Sequence, residues 1–177
     1  MRFSSLDLIN KNNVEKLKVA WTYNSKDGKK GIEANPVVYD GLVYLPTPGN
    51  HIVCLDGITG NEIWRYKVER GNHVAKRGLL IWKNKKNSTL RLYFTNDDQL
   101  IALNAKTGKL ITSFGKNGMI EIGSSPIPPV VIDNQLFIAT FRPSIEAYDI
   151  FSGKLYWKYY LREISNEVFG EKDFNGG

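Results

Sequence analysis

The sequence has few of the residues that metal, disulfide and membrane chemistry require. It contains one cysteine and two histidines among 177 residues, which excludes an internal disulfide framework and leaves no Cys/His set spaced for zinc. It has no apolar run of about 18 residues that could cross a bilayer as a helix. The net charge is +6, but the lysines are scattered through turns such as 26–30 and 83–86, which is typical of a solvated surface. We therefore expect no nucleic-acid partner.

A short phrase occurs three times, as LDGITGNEIW, LNAKTGKLIT and YDIFSGKLYW. Each copy has Asp or Asn followed four residues later by glycine. The Asp or Asn side chain can accept backbone N–H bonds and the glycine can adopt a positive φ, so the pair predicts a tight turn between two strands. The turn glycines are Gly60, Gly108 and Gly153. They are 48 and 45 residues apart, a period that indicates repeated supersecondary units.

A β-hairpin is predicted ahead of each phrase, because β-branched and apolar runs are broken there by turn residues. These hairpins lie at 36–46, 78–95 and 128–140. With the two strands around the phrase, each repeat has four antiparallel strands, which is one blade of an all-β propeller. Trp64 and Trp157 are predicted to pack on the next blade, whereas the second copy has Thr112 at that position. Cys54 is expected to pack in the core.

The predicted blades are 33–68, 77–115 and 126–160. Residues 1–24 form a leading segment, in which 16–24 is predicted to be the outermost strand of the last blade, and 161–177 lead toward a missing fourth blade. Three blades do not close a ring, because propellers have about four to eight. We therefore expect the chain to be a fragment of a longer protein and poorly stable alone. No charged and apolar secretory leader is recognisable at its start.

The connections between blades are predicted to face a central funnel, because each runs from an outermost strand to the next innermost strand. Their polar residues are Glu33, Asn35, His73, Arg77, Ser124 and Ser125. This set suits a polar anionic ligand. Arg77 could bind a carboxylate in bidentate fashion or could cap a loop, and His73 could contact the ligand or pack on strand ends. Glu33 would need a ring N–H or a protonated group as its partner, and His51 is predicted to lie in a turn away from the funnel.

Two longer segments, INKNNVEKLKVAW at 9–21 and TGKLITSFGKNG at 107–118, resemble the amino-terminal part of pyrroloquinoline quinone (PQQ)-dependent alcohol and glucose dehydrogenases. The resemblance covers essentially the whole chain. It implies an eight-bladed quinoprotein propeller in the periplasm, with PQQ on the central axis beside Ca2+ or a similar divalent cation. It also implies oxidation of an alcohol or aldose sugar, with electrons passed to a quinone or cytochrome.

The resemblance also implies roles for particular residues. Arg77 matches an arginine that bonds the quinone and carboxylate edge of PQQ, and Glu33 matches an acidic residue that touches PQQ. His73 matches a histidine of the glucose-oxidising branch, and Ser125 falls near a hydroxyl position of the same cofactor shell. The vicinal cysteines of the methanol-oxidising branch are missing, so the chain looks closer to the sugar-oxidising branch.

No metal ligand is assignable in this chain, because TFRPS at 140–144 replaces the acidic segment of the family. The general base and the metal ligands of the family would lie beyond Gly177, so we expect this fragment alone to be inactive. Two alternatives stay open. One is a non-catalytic scaffold propeller of the outer-membrane assembly type, which shares only the repeat, and the other is an inactive truncated relic. Any membrane association would come from missing segments.

Overall fold

The structure, a computed structural model, describes residues 7–28, 31–71 and 74–161. These contain one short 3-10 helix, Val14–Lys16, and twelve β-strands. In the described part of the chain, no helix is both long and apolar enough to cross a membrane.

The strands form three separate four-stranded antiparallel sheets, each with its strands in chain order. The first sheet contains β1 (Val37–Tyr39), β2 (Leu42–Pro46), β3 (His51–Asp56) and β4 (Glu62–Lys67). The second contains β5 (Leu80–Lys83), β6 (Leu90–Asn96), β7 (Gln99–Asn104) and β8 (Met119–Glu121). The third contains β9 (Val130–Ile132), β10 (Gln135–Thr140), β11 (Ser144–Asp149) and β12 (Leu155–Tyr160). The predicted all-β class with four antiparallel strands per repeat is confirmed.

The cores lie between neighbouring sheets rather than within one sheet. One cluster joins the first and second sheets and includes Tyr44, Cys54 and Phe94, and another joins the second and third and includes Tyr93 and Leu136. These side chains are almost fully buried, and removing their apolar surface from water stabilises the stack. Cys54 is fully buried in the first cluster, which confirms its predicted packing role, and this burial raises the pKa of its thiol to about 11.

The repeated turns dock on tryptophans of the preceding segment, as predicted for Trp64. The Trp64 Nε1 donates a hydrogen bond to the Ala105 carbonyl at 3.0 Å, and Trp21 Nε1 donates to the Gly57 carbonyl at 3.1 Å. A Cβ atom added at Gly108 would lie 2.7 Å from the Trp64 ring. Glycine is therefore required there both for its positive φ, +70°, and for the close approach of the indole.

The turn of the third sheet is docked by different side chains. Tyr93 Oη and Arg91 donate to the Ile150 carbonyl at 2.6 and 3.0 Å, which is the acceptor equivalent to Gly57 and Ala105. Phe114 lies against the turn glycine, Gly153. The short Thr112 side chain cannot cover this turn, so Phe114 and Tyr93 cover it instead.

One predicted boundary needs correction. The second sheet ends with β8 at Met119–Glu121, beyond the predicted blade end at 115, because turns at 112–118 place Phe114 on the third sheet before the outer strand begins. Residues 16–24 are not a strand of any of the three sheets, since they have no ladder partner within the described residues. Their predicted place in a last blade stays a prediction. Most of 161–177 lies outside the described residues.

Candidate functional site

The connections that enter the three sheets contact one another at one end of the stack. Glu33 Oε1, in the first connection, lies 3.9 Å from Lys76 Nζ in the second. The backbone N–H of Arg77 donates to the Pro126 carbonyl in the third connection at 3.0 Å. The first strands β1 and β5 also contact each other. Glu33, Arg77 and the segment around Ser125 therefore lie at the same end, as the funnel prediction requires.

Arg77 lies on an anchored turn with an exposed side chain. The turn is held by the Ala75 N–H, which donates to the Thr95 carbonyl at 2.8 Å, and by the Gly78 N–H, which donates to the Ala75 carbonyl at 3.0 Å. Among the described residues, the Arg77 guanidinium has no hydrogen-bond or ion-pair partner. It can therefore offer its planar set of donors to a carboxylate or a carbonyl group of a ligand.

Glu33 is open to solvent and is accompanied by a cation. Its side chain is 57% exposed, and Lys76 Nζ lies 3.9 Å from it. The ammonium group offsets the negative charge that Glu33 would present to an anionic ligand. Sequence reasoning did not select Lys76; the available signal was its place beside Arg77 in the same connection.

Ser125 is placed differently from its predicted role. It is 2% exposed, and its hydroxyl lies 3.4 Å from the N–H and 3.5 Å from the carbonyl of Ile127. Its own N–H donates to the Asp97 carbonyl at 3.0 Å. Ser125 thus fixes the bend of the third connection, and the neighbouring Ser124 is the exposed one. His73 lies outside the described residues.

A cavity of about 510 Å³ opens between the first connection, the β2–β3 turn and the second connection. Its polar lining includes Glu33, Asn50 and Lys76, and its size is typical of small-molecule sites. The prediction for His51 is wrong. Because β2 and β3 are antiparallel, their turn lies at the same end as the connection into β1, so His51 lies beside the funnel end.

A polar cluster, the Asp27 cluster, joins the leading segment to the first sheet; its members are Asp27, Thr47, His51 and Arg65. Asp27 Oδ2 accepts from His51 Nδ1 at 2.8 Å, from Arg65 at 3.2 Å, and from the Thr47 hydroxyl. Burial alone would raise the pKa of the Asp27 carboxyl, but hydrogen bonds from Ser25, Thr47 and His51 outweigh burial and lower it. Sequence reasoning missed this cluster.

Metal ligands are scarce at this end of the stack. In residues 7–28, 31–71 and 74–161, no three His, Cys, Asp or Glu side chains are grouped to hold a metal ion. The β10–β11 turn consists of Phe141, Arg142 and Pro143 and contains no carboxylate.

Comparison with known proteins places this geometry in one family. Residues 1–172 match the family described as PQQ, glucose/ethanol/alcohol dehydrogenase, β-propeller domain. The chain is 33% identical to the quinohemoprotein alcohol dehydrogenase ADH IIB of Pseudomonas putida, over 90% of this chain and 24% of that protein. It is 28% identical to quinoprotein glucose dehydrogenase A of Acinetobacter calcoaceticus, over 90% and 26%.

Solved structures agree on the fold. The crystal structure of quinohemoprotein alcohol dehydrogenase from Comamonas testosteroni superposes with a TM-score of 0.68 at 31% identity, covering 90% of this chain and 25% of that one. BamB from Moraxella catarrhalis gives 0.55 at 17% identity, over 80% of this chain and 39% of that one, which shows a shared fold only. The three sheets are therefore propeller blades, and the chain spans about a quarter of the length of the dehydrogenases it matches. The chain belongs to the glucose/ethanol/alcohol dehydrogenase family of PQQ β-propellers.

Proposed function

We propose that this chain is the amino-terminal part of a PQQ-dependent dehydrogenase that oxidises an alcohol or an aldose sugar. One observation carries the proposal. Three connections that are distant in sequence meet at one end, where Glu33 and Lys76 line a cavity and the exposed Arg77 follows Lys76 on the same turn.

The residues at this end fit the chemistry of PQQ, which is a planar quinone bearing several carboxylates. Arg77 and Lys76 would hold the carboxylates, because charge-assisted hydrogen bonds shielded from water contribute roughly 1.5–3 kcal/mol each. Glu33 would accept a hydrogen bond from a ring N–H. His73 and Ser125 complete the proposed set, Ser125 by shaping the connection that carries Ser124.

PQQ, when bound, supplies the redox chemistry by accepting two electrons from the carbon that bears the hydroxyl group. The residues of this chain bind and orient. Arg77 would hold the cofactor from the second connection and supply positive charge that stabilises its reduced form, while Glu33 and Lys76 would bind it from the first and second connections. The base that removes the hydroxyl proton would come from the rest of the propeller, so this chain alone is proposed to be inactive.

The family also suggests the setting of the intact protein. We propose a closed eight-bladed ring in the periplasm, a divalent cation such as Ca2+, and a quinone or cytochrome as electron acceptor. The ligands of the cation would lie outside the described residues, because these offer no grouped carboxylates.

The proposal is tested with the protein expressed from its whole reading frame. PQQ is titrated into the metal-loaded protein by absorbance, and dye reduction is measured with alcohols and aldoses. We expect saturable PQQ binding and a PQQ-dependent rate. Arg77→Ala should weaken PQQ binding by about 10- to 100-fold, the loss of one or two charge-assisted bonds. Lys106→Ala removes a positive charge at an exposed turn of the opposite end and should change nothing.

The alternatives give different results. A scaffold propeller of the assembly type would neither bind PQQ nor reduce the dye. A truncated relic would have no further blades in frame after Gly177. Equal PQQ affinity in native protein and Arg77→Ala would remove Arg77 from the site.

A further inference from the structure

All three blades have a threonine at the same place, and the connection that enters each blade is fixed next to it. These residues are Thr47, Thr95 and Thr140, each 13 residues before the turn glycine of its blade. Thr47 directly follows the second strand of its blade, Thr95 is the next-to-last residue of that strand, and Thr140 is the last. All three therefore lie at the funnel end. The side chains around them differ in type but contact equivalent parts of the chain.

In the third blade the contact is made by a buried carboxylate. The Glu146 side chain is 1% exposed and accepts hydrogen bonds from Lys158 Nζ at 2.7 Å and from Tyr148 Oη at 2.5 Å. The Gly123 N–H, in the connection that enters this blade, donates to it at 3.3 Å, and the Ser144 hydroxyl also lies at 3.3 Å. We refer to Glu146, Ser144, Tyr148, Lys158 and Gly123 as the Glu146 cluster.

The Asp27 cluster of the first blade has the same layout, shifted by the 93 residues that separate Gly60 from Gly153. With this shift, Thr47 corresponds to Thr140, His51 to Ser144, and Arg65 to Lys158. The carboxylates do not correspond, since Asp27 precedes the first blade and Glu146 lies on the third strand of the third. Thr140 bonds the Ser144 hydroxyl rather than Glu146, but the other two positions contact the carboxylate in both blades. Two carboxylates that come from different chain positions and share these partners indicate a common role in holding the connection.

In the second blade, a side-chain amide binds the connection that enters the blade. Asn96, 1% exposed, donates through Nδ2 to the Arg70 carbonyl at 2.5 Å. Arg70 lies in the connection that leads to Arg77. In each blade, therefore, a polar side chain near the turn between the second and third strands binds the connection that enters the blade. The bound part of the connection lies just ahead of the candidate cofactor residue.

We propose that Glu146 is a positioning residue: through the Gly123 N–H it fixes the third connection, and through the Pro126 carbonyl this connection fixes Arg77. Asp27 is its counterpart ahead of Glu33. The cofactor part of this inference rests on the proposed function. The chain of contacts runs from Glu146 to Gly123, then along the backbone to Pro126, whose carbonyl accepts from the Arg77 N–H at 3.0 Å.

The charge state of Glu146 agrees with this role. Burial alone would raise the pKa of its carboxyl, but hydrogen bonds from Lys158, Tyr148 and the Gly123 N–H outweigh burial and lower the pKa. At neutral pH the side chain is thus an acceptor for several donors at once, and a neutral amide cannot replace it fully because one end of the amide is itself a donor.

The test uses Glu146→Gln in the protein from the whole reading frame, with Glu121→Gln as a control at an exposed carboxylate two residues before Gly123. Amide hydrogen exchange is measured on peptides covering 122–128 and 90–104, and PQQ affinity by titration. We expect Glu146→Gln to speed exchange in 122–128, leave 90–104 unchanged, and raise the Kd for PQQ about tenfold, the loss of about one hydrogen bond. Glu121→Gln should match the native protein.

Tyr148→Phe keeps the carboxylate and removes one donor, so it provides a milder variant should Glu146→Gln fail to fold. It should speed exchange in 122–128 by a smaller factor. Unchanged exchange in 122–128 with unchanged PQQ affinity overturns the positioning role and leaves the proposed function standing. Exchange that speeds equally in 122–128 and 90–104 also overturns it, because Glu146 would then only stabilise the blade.

Failure of the proposed function looks different. If the native protein binds no PQQ, the cofactor site is wrong and Glu146 positions nothing for PQQ. The exchange of 122–128 then decides the remaining part: local acceleration supports Glu146 as the residue that fixes this connection, and no acceleration overturns that part as well.

Discussion

Trp64 and Trp157 occupy the same position in the first and third blades but have different surroundings. The Tyr44 and Trp64 rings lie 6.0 Å apart at 49°, and the Phe137 and Trp157 rings lie 5.9 Å apart at 55°. Trp64 packs on the turn of the next blade, whereas Trp157 is 45% exposed. The geometry within a blade is therefore set by that blade, and the stability gained from the tryptophan depends on the neighbouring blade.

The outer strand of the third blade extends this contrast. Its exposed large side chains are Leu155, Tyr156, Trp157, Tyr159 and Tyr160. The equivalent face of the first blade is covered by the second, where Tyr66 packs on Phe94 with ring centroids 6.3 Å apart. Each blade of such a stack thus depends on its neighbour to bury the outer strand.

The largest expected effect comes from deleting the two tryptophans in turn in the 177-residue chain. Trp64→Ala should lower the free energy of unfolding by about 3 kcal/mol, because it removes buried ring area and the bond to the Ala105 carbonyl. Trp157→Ala should cost less than about 1 kcal/mol, since Trp157 is 45% exposed and packs on no further blade among the described residues. Urea unfolding measures both. Equal costs would mean that something covers Trp157, such as another copy of the chain.

A smaller effect is expected from filling the docking space. Gly108→Ala places a Cβ 2.7 Å from the Trp64 ring at φ +70°, and should cost about 2 kcal/mol from backbone strain and displacement of the indole. Gly41 is the matched control, because its φ is +75° but no atom lies within 4 Å of an added Cβ. Gly41→Ala should cost about 1 kcal/mol, the backbone term alone. Equal losses would show that contact with Trp64 adds nothing.

The turn of the third blade differs from the other two, because a tyrosine rather than a tryptophan binds it. Tyr93 is fully buried, and burial raises the pKa of its phenol to about 12, so it stays a neutral donor. Tyr93→Phe should cost about 1 kcal/mol for the lost bond to the Ile150 carbonyl, softened because Arg91 also donates to that carbonyl. Adding Arg91→Met should cost more than the sum of the two single changes, which a double-mutant cycle in urea would measure.

Much of the fold could be predicted from the repeated phrase, because turn chemistry and strand alternation act locally. The docking of the third turn could not be predicted, although Thr112 was seen to stand in place of a tryptophan. The residues that compensate, Tyr93 and Phe114, lie elsewhere in the chain and meet only when the second and third blades pack. Packing between distant segments leaves little local signal.

The candidate site likewise contains residues that could be predicted from the sequence and residues that could not. Topology alone places Glu33 and Arg77 at one end, because connections into successive inner strands share a face. The roles of Lys76 and Glu146 could not be predicted, because they depend on neighbours from other segments, and Ser125 turns inward because its hydroxyl satisfies its own turn. The common position of Thr47, Thr95 and Thr140 was readable in the sequence, but its meaning depends on the polar partners around it.

The smallest expected effect is the pH dependence of the stability that the two carboxylate clusters contribute. The Asp27 and Glu146 carboxyls have lowered pKa values in the folded chain, so each stabilises it above the unfolded pKa of about 4. This contribution is lost as the pH falls through the folded pKa. Asp27→Asn should therefore cost more stability at pH 7 than at pH 3, by urea unfolding, while Asp133→Asn, at an exposed turn, should show no such difference. A pH-independent cost for Asp27→Asn would mean that Asp27 acts through shape and hydrogen bonding rather than through charge.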